Sequence, residues 1–567
     1  MIHLTGGEAV VKMLESLGIT HSFGMAGFQH LPYYEAIRNS KKVHHVLIRN
    51  EQAGAFMADA YARAGGRVAV CDATAGPGAT NLVTGLAESF YAGVPVIAIT
   101  SSVIRSFVGR GANQECDQIN VIRPIVKESV YVNSIERIPE LMKKAFRIAV
   151  EGRPGPVHVD IPEDIFHGEG DFDEKAFETD IPANTFPLSR ITPEKKQIEA
   201  AAEALIAAKN PVILAGGGVH NSGAWEELLA FAEKLAVPVA TTISGKGSIP
   251  ENHPLSLNVC GRYFRFANDF VKKADVLLVV GCRLAEMSTI RWSLVSEGTK
   301  IVRIDIDQKA LGMGYNADFP LLGDAKATLA ILNGILAEKK VAARDASAKE
   351  KEIAETKAKW AVSVADKTDD TSSPINIAHM LKILQKLVPD DAIMVGDGGF
   401  SAHWSSVYWD VDAKTGRHYL ANRGQAAIGY GLPAALGCKF ACPDKTVIAL
   451  SGDGGLGYSV MELETAMREK KNVILIVVNN RALGYIKALQ HAKYGEYIST
   501  DFEDVKYGEM ASLLGCYGVR VSDPAKLEAE FKAALERKDR PSVIEVMVTT
   551  DPSKMFPGMD NRVAKKN

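Results

Sequence analysis

The 567-residue chain has no apolar run long enough to cross a bilayer, no Cys-x-x-Cys pair and no excess of charge of either sign. A membrane helix needs about 20 consecutive apolar residues, so no membrane partner is expected. The seven cysteines (71, 116, 260, 282, 438, 442, 516) form neither a disulfide framework nor a zinc set. They read as small buried hydrophobes in a reducing compartment, and the expected location is the cytoplasm. Cys438 and Cys442 lie four apart on one helix, but no His or acid is spaced to complete a metal site. Lys and Arg number 65 and Asp and Glu 68, a formal charge of −3. This near-neutrality argues against a non-specific nucleic-acid binder, which needs a basic face. The start alternates Val10, Val11, Leu14 and Leu17 with Lys12 and Glu15, a helical period rather than the charged-then-apolar layout of a signal peptide.

What the sequence does have is a 47% hydrophobic fraction arranged in short runs between amphipathic helices. Three blocks emerge, with expected domain limits of 1–180, 193–340 and 371–555. In the first, apolar runs at 43–48, 68–71, 94–100 and 157–161 alternate with helices such as 52–64 and 138–151. The second repeats the alternation with runs at 211–215, 237–241, 276–281 and 301–305. The third has runs at 392–396, 446–450, 473–479 and 542–548. Such runs indicate parallel strands buried on both faces. The fold class is α/β, three doubly wound parallel-sheet domains, with the first and third expected to share one architecture. Residues 337–370, rich in Ala, Lys and Glu, read as a solvated helix and linker. The Gly216-Gly-Gly218 turn after a strand fails the full G-x-G-x-x-G test, since Asn221 stands in the sixth position. The tail 551–567 is polar with Met555-Phe-Pro557 embedded, a lid or a loose end.

The strongest chemical signal is Ser451-Gly-Asp-Gly-Gly455 after one apolar run and Asn479-Asn480 after the next. Asp453 and Asn480 are 27 positions apart, the length of a strand–helix–strand step. Both therefore stand at the carboxyl ends of adjacent parallel strands, where open α/β sheets bind ligands. An Asp carboxylate, an Asn amide oxygen and a backbone carbonyl are hard oxygen donors suited to Mg²⁺ shared with a diphosphate. Gly452, Gly454 and Gly455 let backbone amides approach a phosphate.

In these residues the chain resembles the thiamine diphosphate enzymes, which carry GDG, about 27 residues, then NN. The likeness extends along the whole chain: Glu51 in Arg49-Asn-Glu-Gln-Ala53, Gly76-Pro-Gly-Ala-Thr-Asn81, Arg153-Pro-Gly-Pro156 and Gly429-Tyr-Gly-Leu-Pro433 are similar to motifs of the acetolactate synthase branch. The resemblance implies pyrimidine-binding, central and diphosphate-binding domains in that order. It implies that Asp453, Asn480 and the Ala482 carbonyl hold Mg²⁺, and that Gly399, Phe400, Ser401, Ala426, Gly484 and Tyr485 line the cofactor. Ile428 would be the bulky residue that bends the cofactor, and Glu51 would share a proton with its pyrimidine ring from an apolar setting that raises the carboxyl pKa. It implies, too, a homodimer or homotetramer with each site between two subunits. The related synthases have Gln-His where this chain has Phe400-Ser401.

The reaction is less sharply marked. The simple decarboxylases and lyases of this family place a catalytic His in the loop 24–32. The register from Thr5-Gly-Gly-Glu8 puts Gln29 there, with His30 beside it. Asn113-Gln-Glu115 resembles a Phe-Gln-Glu stretch, which makes Gln114 a candidate partner of the substrate. The Asp-Asp-Arg of the biosynthetic synthases is absent from Gly281-Cys-Arg-Leu-Ala-Glu-Met287, and Leu489 stands where they have Trp. Loss of that Arg removes a possible bidentate partner for an acceptor carboxylate; Arg105, Arg262 and Arg291 could help hold an anionic substrate. The expected activity is decarboxylation of a 2-oxo acid such as pyruvate followed by ligation to a second carbonyl compound. The alternatives are an acetyl phosphate-forming, sulfoacetaldehyde acetyltransferase-like lyase, a 2-oxo acid decarboxylase or acyloin lyase, and a non-catalytic relic. A complete Glu51, Asp453 and Asn480 set argues against the relic. Gly216–Gly218, Thr241-Thr242 and Gly281–Arg283 match part of an FAD pattern and Arg262-Tyr263 does not, which leaves FAD, an adenine nucleotide or no ligand open for the central domain.

Overall fold

Strands buried on both faces show no polar side, and the apolar runs of this chain behave accordingly. The computed structural model describes residues 1–181, 184–558 and 560 and sorts the strands into three six-stranded parallel sheets and one antiparallel pair, Ile2–Thr5 with Glu169–Phe172. The first sheet runs in space His44–Leu47, His21–Gly24, Ala69–Ala73, Val96–Ser102, Val157–Pro162, Ser129–Tyr131. The third runs Tyr419–Ala421, Ile393–Gly396, Val447–Gly452, Ile474–Asn479, Ser542–Met547, Tyr517–Val521. In both, chain order maps onto space as second, first, third, fourth, sixth, fifth, so the first and third blocks do share one architecture. The middle sheet runs Ser256–Val259, Val239–Thr241, Val212–Ala215, Val276–Val280, Lys300–Asp305, Phe319–Leu322, the third-second-first-fourth-fifth-sixth order of dinucleotide-binding folds.

Where strand order reverses, successive connections leave in opposite directions and open a crevice at the carboxyl ends. The first sheet reverses between His21–Gly24 and Ala69–Ala73, the third between Ile393–Gly396 and Val447–Gly452, and the middle one between Val212–Ala215 and Val276–Val280. Each reversal is followed by glycine-bearing loops, and these loops carry the candidate site residues. Among the described residues no helix is long and apolar enough to cross a membrane.

The first and third domains of one chain meet through two helices, Glu51–Gly65 and Gly431–Ala441, within a shared apolar core. Their sequences explain the contact. Ala53, Ala55, Ala58, Ala60 and Ala62 on one helix, and Ala434, Ala435, Gly437 and Cys438 on the other, let the backbones approach closely. Cys438 and Cys442 face the carbonyl oxygens of Ala60 and Ala64 at 4.0 and 3.8 Å, as apolar fillers of the seam. Two carboxylates are buried there around one arginine: Arg63 pairs with Asp59 at 2.7 Å and Glu88 at 3.0 Å and donates to the Ala421 carbonyl at 2.9 Å. Burial pushes the Asp59 carboxyl above its ordinary value, and Arg63 opposes the shift.

A Cβ on Gly437 would fall 2.2 Å from the Met57 carbonyl oxygen. Gly437→Val therefore has to part the two helices, at an overpacking cost of about 1–3 kcal/mol. Calorimetry should show the apparent unfolding midpoint falling; an unchanged midpoint would contradict this packing.

Candidate functional site

At the reversal of the third sheet lies a cleft of about 580 Å³. Its walls include Gly399, Phe400, Ser401, Ala426, Ile428, Gly452, Asp453, Gly454, Gly455, Asn480, Ala482, Gly484 and Tyr485. The third-domain residues expected at the cofactor are thus gathered in one place. Gly399, at φ +75°, turns the chain into helix Phe400–Tyr408. A Cβ at Gly452 would meet only the Ser401 hydroxyl, at 3.8 Å, so the backbone here is open to the cleft. By contrast, a Cβ at Gly484 would strike the Asn480 amide nitrogen at 2.3 Å.

Asp453 accepts from the Gly454 N–H at 2.9 Å and the Ala482 N–H at 3.2 Å. Asn480 Oδ1 accepts from that same Ala482 N–H at 3.1 Å. The carboxylate and the amide oxygen thus converge within one hydrogen-bond length of a shared atom. Burial raises the Asp453 carboxyl to about 6 against these backbone donors, and it has no ion-pair partner among the described residues. Ser451, just before the GDG turn, donates to Asp397 at 2.5 Å, and Asp397 accepts from the Gly398 and Tyr430 N–H groups at 2.7 and 3.0 Å. Asp397 therefore ties together three loops of the cleft. The sequence reading did not single it out, although an acid between a strand end and two glycines was the available signal.

Glu51 stands at the start of its helix, buried, and accepts from the Asn81 amide at 2.9 Å. It does not line the third-domain cleft of its own chain. Around it the first sheet's reversal assembles a second set of polar groups. Thr74 donates to Gln29 Oε1 at 2.6 Å, and Gln29 Nε2 donates to Gln114 Oε1 at 2.7 Å. Gly76, at φ +64°, lies so close that a Cβ would come 2.7 Å from the Gln114 carbonyl oxygen. Gln29 and Gln114 thus lie together beside the Gly76-Pro-Gly78 turn. His30 turns away into the domain core, 1% exposed, between the Ser101 hydroxyl at 3.1 Å and the Tyr34 hydroxyl at 2.6 Å. Behind it Asp72 accepts from Ser22, Tyr34 and His45. Burial alone would raise the Asp72 carboxyl, but His45 and His30 outweigh it and hold it well below the ordinary carboxylate range.

Glu88, on helix Val83–Ala92 of the first domain, accepts three successive N–H groups of a third-domain loop: Gly424 at 2.7 Å, Gln425 at 2.6 Å and Ala426 at 3.2 Å. This loop holds Ala426 in the left-handed region at φ +59° and leads directly to Ile428. Glu88 lies outside every motif legible in the sequence. The segment after Asp551 lies across the cleft. The Met555 sulfur is 3.9 Å from the Asn480 amide nitrogen, Trp404 donates to the Met555 carbonyl at 3.2 Å, and Phe556 packs edge-on to Phe400 at 5.4 Å. Residues 561–567 of this tail lie outside the described residues. The three arginines considered for an anionic substrate are all ion-paired: Arg105 with Asp164, and Arg262 and Arg291 with Glu286. At the middle sheet's reversal is a second cavity of about 610 Å³, lined by Gly216–Gly218, Thr242, Arg262, Gly281–Arg283 and Asp305.

Family models for thiamine pyrophosphate enzymes match in order: the N-terminal TPP-binding domain over residues 4–121, the central domain over 198–332 and the C-terminal TPP-binding domain over 397–546. The chain is 36% identical over 564 residues to a probable acetolactate synthase large subunit of Methanocaldococcus jannaschii, covering 98% of this chain and 93% of the relative. It is 33% identical over 565 residues to the acetolactate synthase isozyme 3 large subunit of Escherichia coli, covering 97% and 95%. It is 35% identical over 555 residues to the acetolactate synthase large subunit of Corynebacterium glutamicum, covering 97% and 87%. The chain belongs to the thiamine pyrophosphate enzymes, in the family that contains the acetolactate synthase large subunits.

Proposed function

We propose that this chain is a Mg²⁺-dependent thiamine diphosphate carboligase that decarboxylates a 2-oxo acid such as pyruvate and joins the remaining acyl unit to a second carbonyl compound. The observation that carries the reading is the convergence of Asp453 and Asn480 on one N–H inside the glycine-walled cleft. The donor set fits the metal. A buried carboxylate raised to about 6 and without a cationic partner among the described residues is relieved by a divalent cation, and the Asn480 amide and Ala482 carbonyl supply further oxygen donors. The open backbone at Gly399 and Gly452 fits a diphosphate.

When bound, thiamine diphosphate supplies the carbanion chemistry that breaks and forms bonds beside a carbonyl. The chain's own residues do the rest. Ile428 supports the cofactor from the loop that Glu88 holds. Glu51, oriented by Asn81, holds a proton against the pyrimidine ring nitrogen. Gln29 and Gln114, fixed against each other, present amide groups to the substrate.

Because Glu51 does not line the cleft of its own chain, we infer that the complete site forms between two copies, the first domain of one facing the third domain of the other. We infer also that the central cavity takes a flavin or other adenine nucleotide. Its volume of about 610 Å³ lies in the range of small-molecule sites, and it occupies the reversal point of a dinucleotide-type sheet. Gly216 and Gly218 interlock with Gly281 there, since a Cβ on either would fall within 2.3–2.6 Å of its backbone.

Mass spectrometry of the supernatant after denaturing the purified protein should reveal a stoichiometric adenine nucleotide; its absence from protein isolated under several conditions would count against the central-cavity reading. Glu51→Gln should slow proton exchange at the cofactor's reactive carbon, followed by NMR, at least about 100-fold while cofactor affinity is kept. Exchange at the wild-type rate would remove Glu51 from its assigned role.

A further inference from the structure

Loop residues 423–426 form the wall between the two large cavities, and Arg423 and Ala426 line both of them. Arg423 differs from the other arginines considered for an anion. Its guanidinium makes no hydrogen bond or ion pair among the described residues, whereas Arg105, Arg262 and Arg291 are all paired. The nearby acid does not satisfy it. The Glu88 carboxylate is already occupied by Arg63 and by three backbone N–H groups. Arg262, from the central domain, is 5% exposed, and its Nε is a buried donor without a partner. Burial lowers the Arg423 guanidinium below its ordinary value; Glu88 opposes this and Arg262 adds to it, so an anion received here would relieve two like charges facing one region.

Strand order says which end of the cleft Arg423 serves. It follows Tyr419–Ala421, the edge strand, whereas Asp453 follows Val447–Gly452 with Ile393–Gly396 in between. Two strand spacings separate the ends of those strands, about 10 Å. The metal donors Asp453 and Asn480 therefore leave from the third and fourth strands in that spatial row, Gly399 and Ser401 from the strand between, and Arg423 from the edge strand beside the central-domain cavity.

We propose that Arg423 is a specificity-determining residue that binds the carboxylate of the acceptor 2-oxo acid. The proposal rests on the carboligase reading above. A carboxylate retained in the product is the appropriate partner. An ion pair to the donor's carboxylate would stabilise the ground state of the very group that must leave as carbon dioxide, which opposes the reaction. A planar guanidinium matches a carboxylate bidentately, and the ion pair forms in a partly desolvated junction where charge is least screened. This site substitutes for the arginine of the Asp-Asp-Arg motif, in whose place this chain has Ala285-Glu286-Met287.

The test compares wild-type, Arg423→Gln and Arg423→Lys holoenzymes with pyruvate as donor and either a 2-oxo acid or an uncharged aldehyde as acceptor, alongside calorimetric binding of oxamate, a non-reactive 2-oxo acid mimic. Loss of a partly desolvated charged partner predicts a fall in kcat/KM for the 2-oxo acid acceptor of at least about 30-fold in Arg423→Gln. The aldehyde reaction and thiamine diphosphate affinity should stay within about threefold, and Arg423→Lys should recover part of the loss. Equal falls with both acceptors, weakened cofactor binding, or unchanged selectivity would overturn the assignment. Turnover of 2-oxo acids that does not depend on Arg423 sinks this proposal alone. Arg423-dependent oxamate binding without any turnover sinks the carboligase reading alone, and neither binding nor turnover sinks both.

Discussion

A guanidinium shared by two buried carboxylates sets the geometry on which the rest of this molecule depends. Arg63 binds Asp59 on its own helix and Glu88 on the next helix of the first domain, and reaches the carbonyl of Ala421 in the third. Tyr430 donates to Asp59 at 2.9 Å from the partner helix. A buried ion pair is weak evidence for net stability, yet removing one member strands a charge at a cost of about 3–5 kcal/mol. Its value here is positional. It keeps the Ala-rich helix and the Gly431–Ala441 helix in register, and it orients Glu88 to hold the loop that carries Ala426 and Ile428. The first domain thereby shapes the cofactor cleft of the third domain without lining it.

The three sheets repeat one physical device. Each reverses its strand order near its middle, and that reversal opens a crevice edged by glycines. In the third domain the crevice gathers Asp453, Asn480 and an open backbone suited to a diphosphate. In the first it gathers Gln29, Thr74, Gly76 and Gln114 close to Glu51. In the middle it forms a cavity large enough for a nucleotide. The half-sites of the first and third domains are chemically complementary: one offers proton-transfer and amide groups, the other oxygen ligands and an open backbone. Within one chain they do not share a cleft, and this is why the proposed enzyme is a pair of copies. Arg423 adds an anion-binding element at the border of the third-domain and central cavities.

How much of this was legible in the sequence follows from burial. Strands such as Val276–Val280 and Ile474–Asn479 are covered on both faces and read as unbroken apolar runs. Within the three large sheets, the strands the sequence did not declare are His21–Gly24, Ser129–Tyr131, Ser256–Val259, Phe319–Leu322, Tyr419–Ala421 and Tyr517–Val521. All but the first lie at sheet edges, where short length and mixed polarity weaken the signal. The third-domain cleft was legible because GDG and NN are local motifs whose spacing encodes adjacent strand ends. Glu88, Asp397 and Arg423 were not, because their partners are contiguous only in three dimensions. The choice between Gln29 and His30 could not be made from sequence, since one residue of register turns a loop side chain from the site to the core. In the structure Gln29 meets Gln114 and His30 packs against Tyr34.

The central claim is that catalysis needs Glu51 from one copy and Asp453 from another. Co-expression of Glu51→Gln and Asp453→Ala chains, each differently tagged, tests it directly. Each variant alone should be inactive. Random pairing makes half of the dimers mixed, each with one intact and one doubly altered site, so about a quarter of the wild-type sites should be recovered. Mixed dimers, isolated through both tags, that remain as inactive as either parent would contradict it.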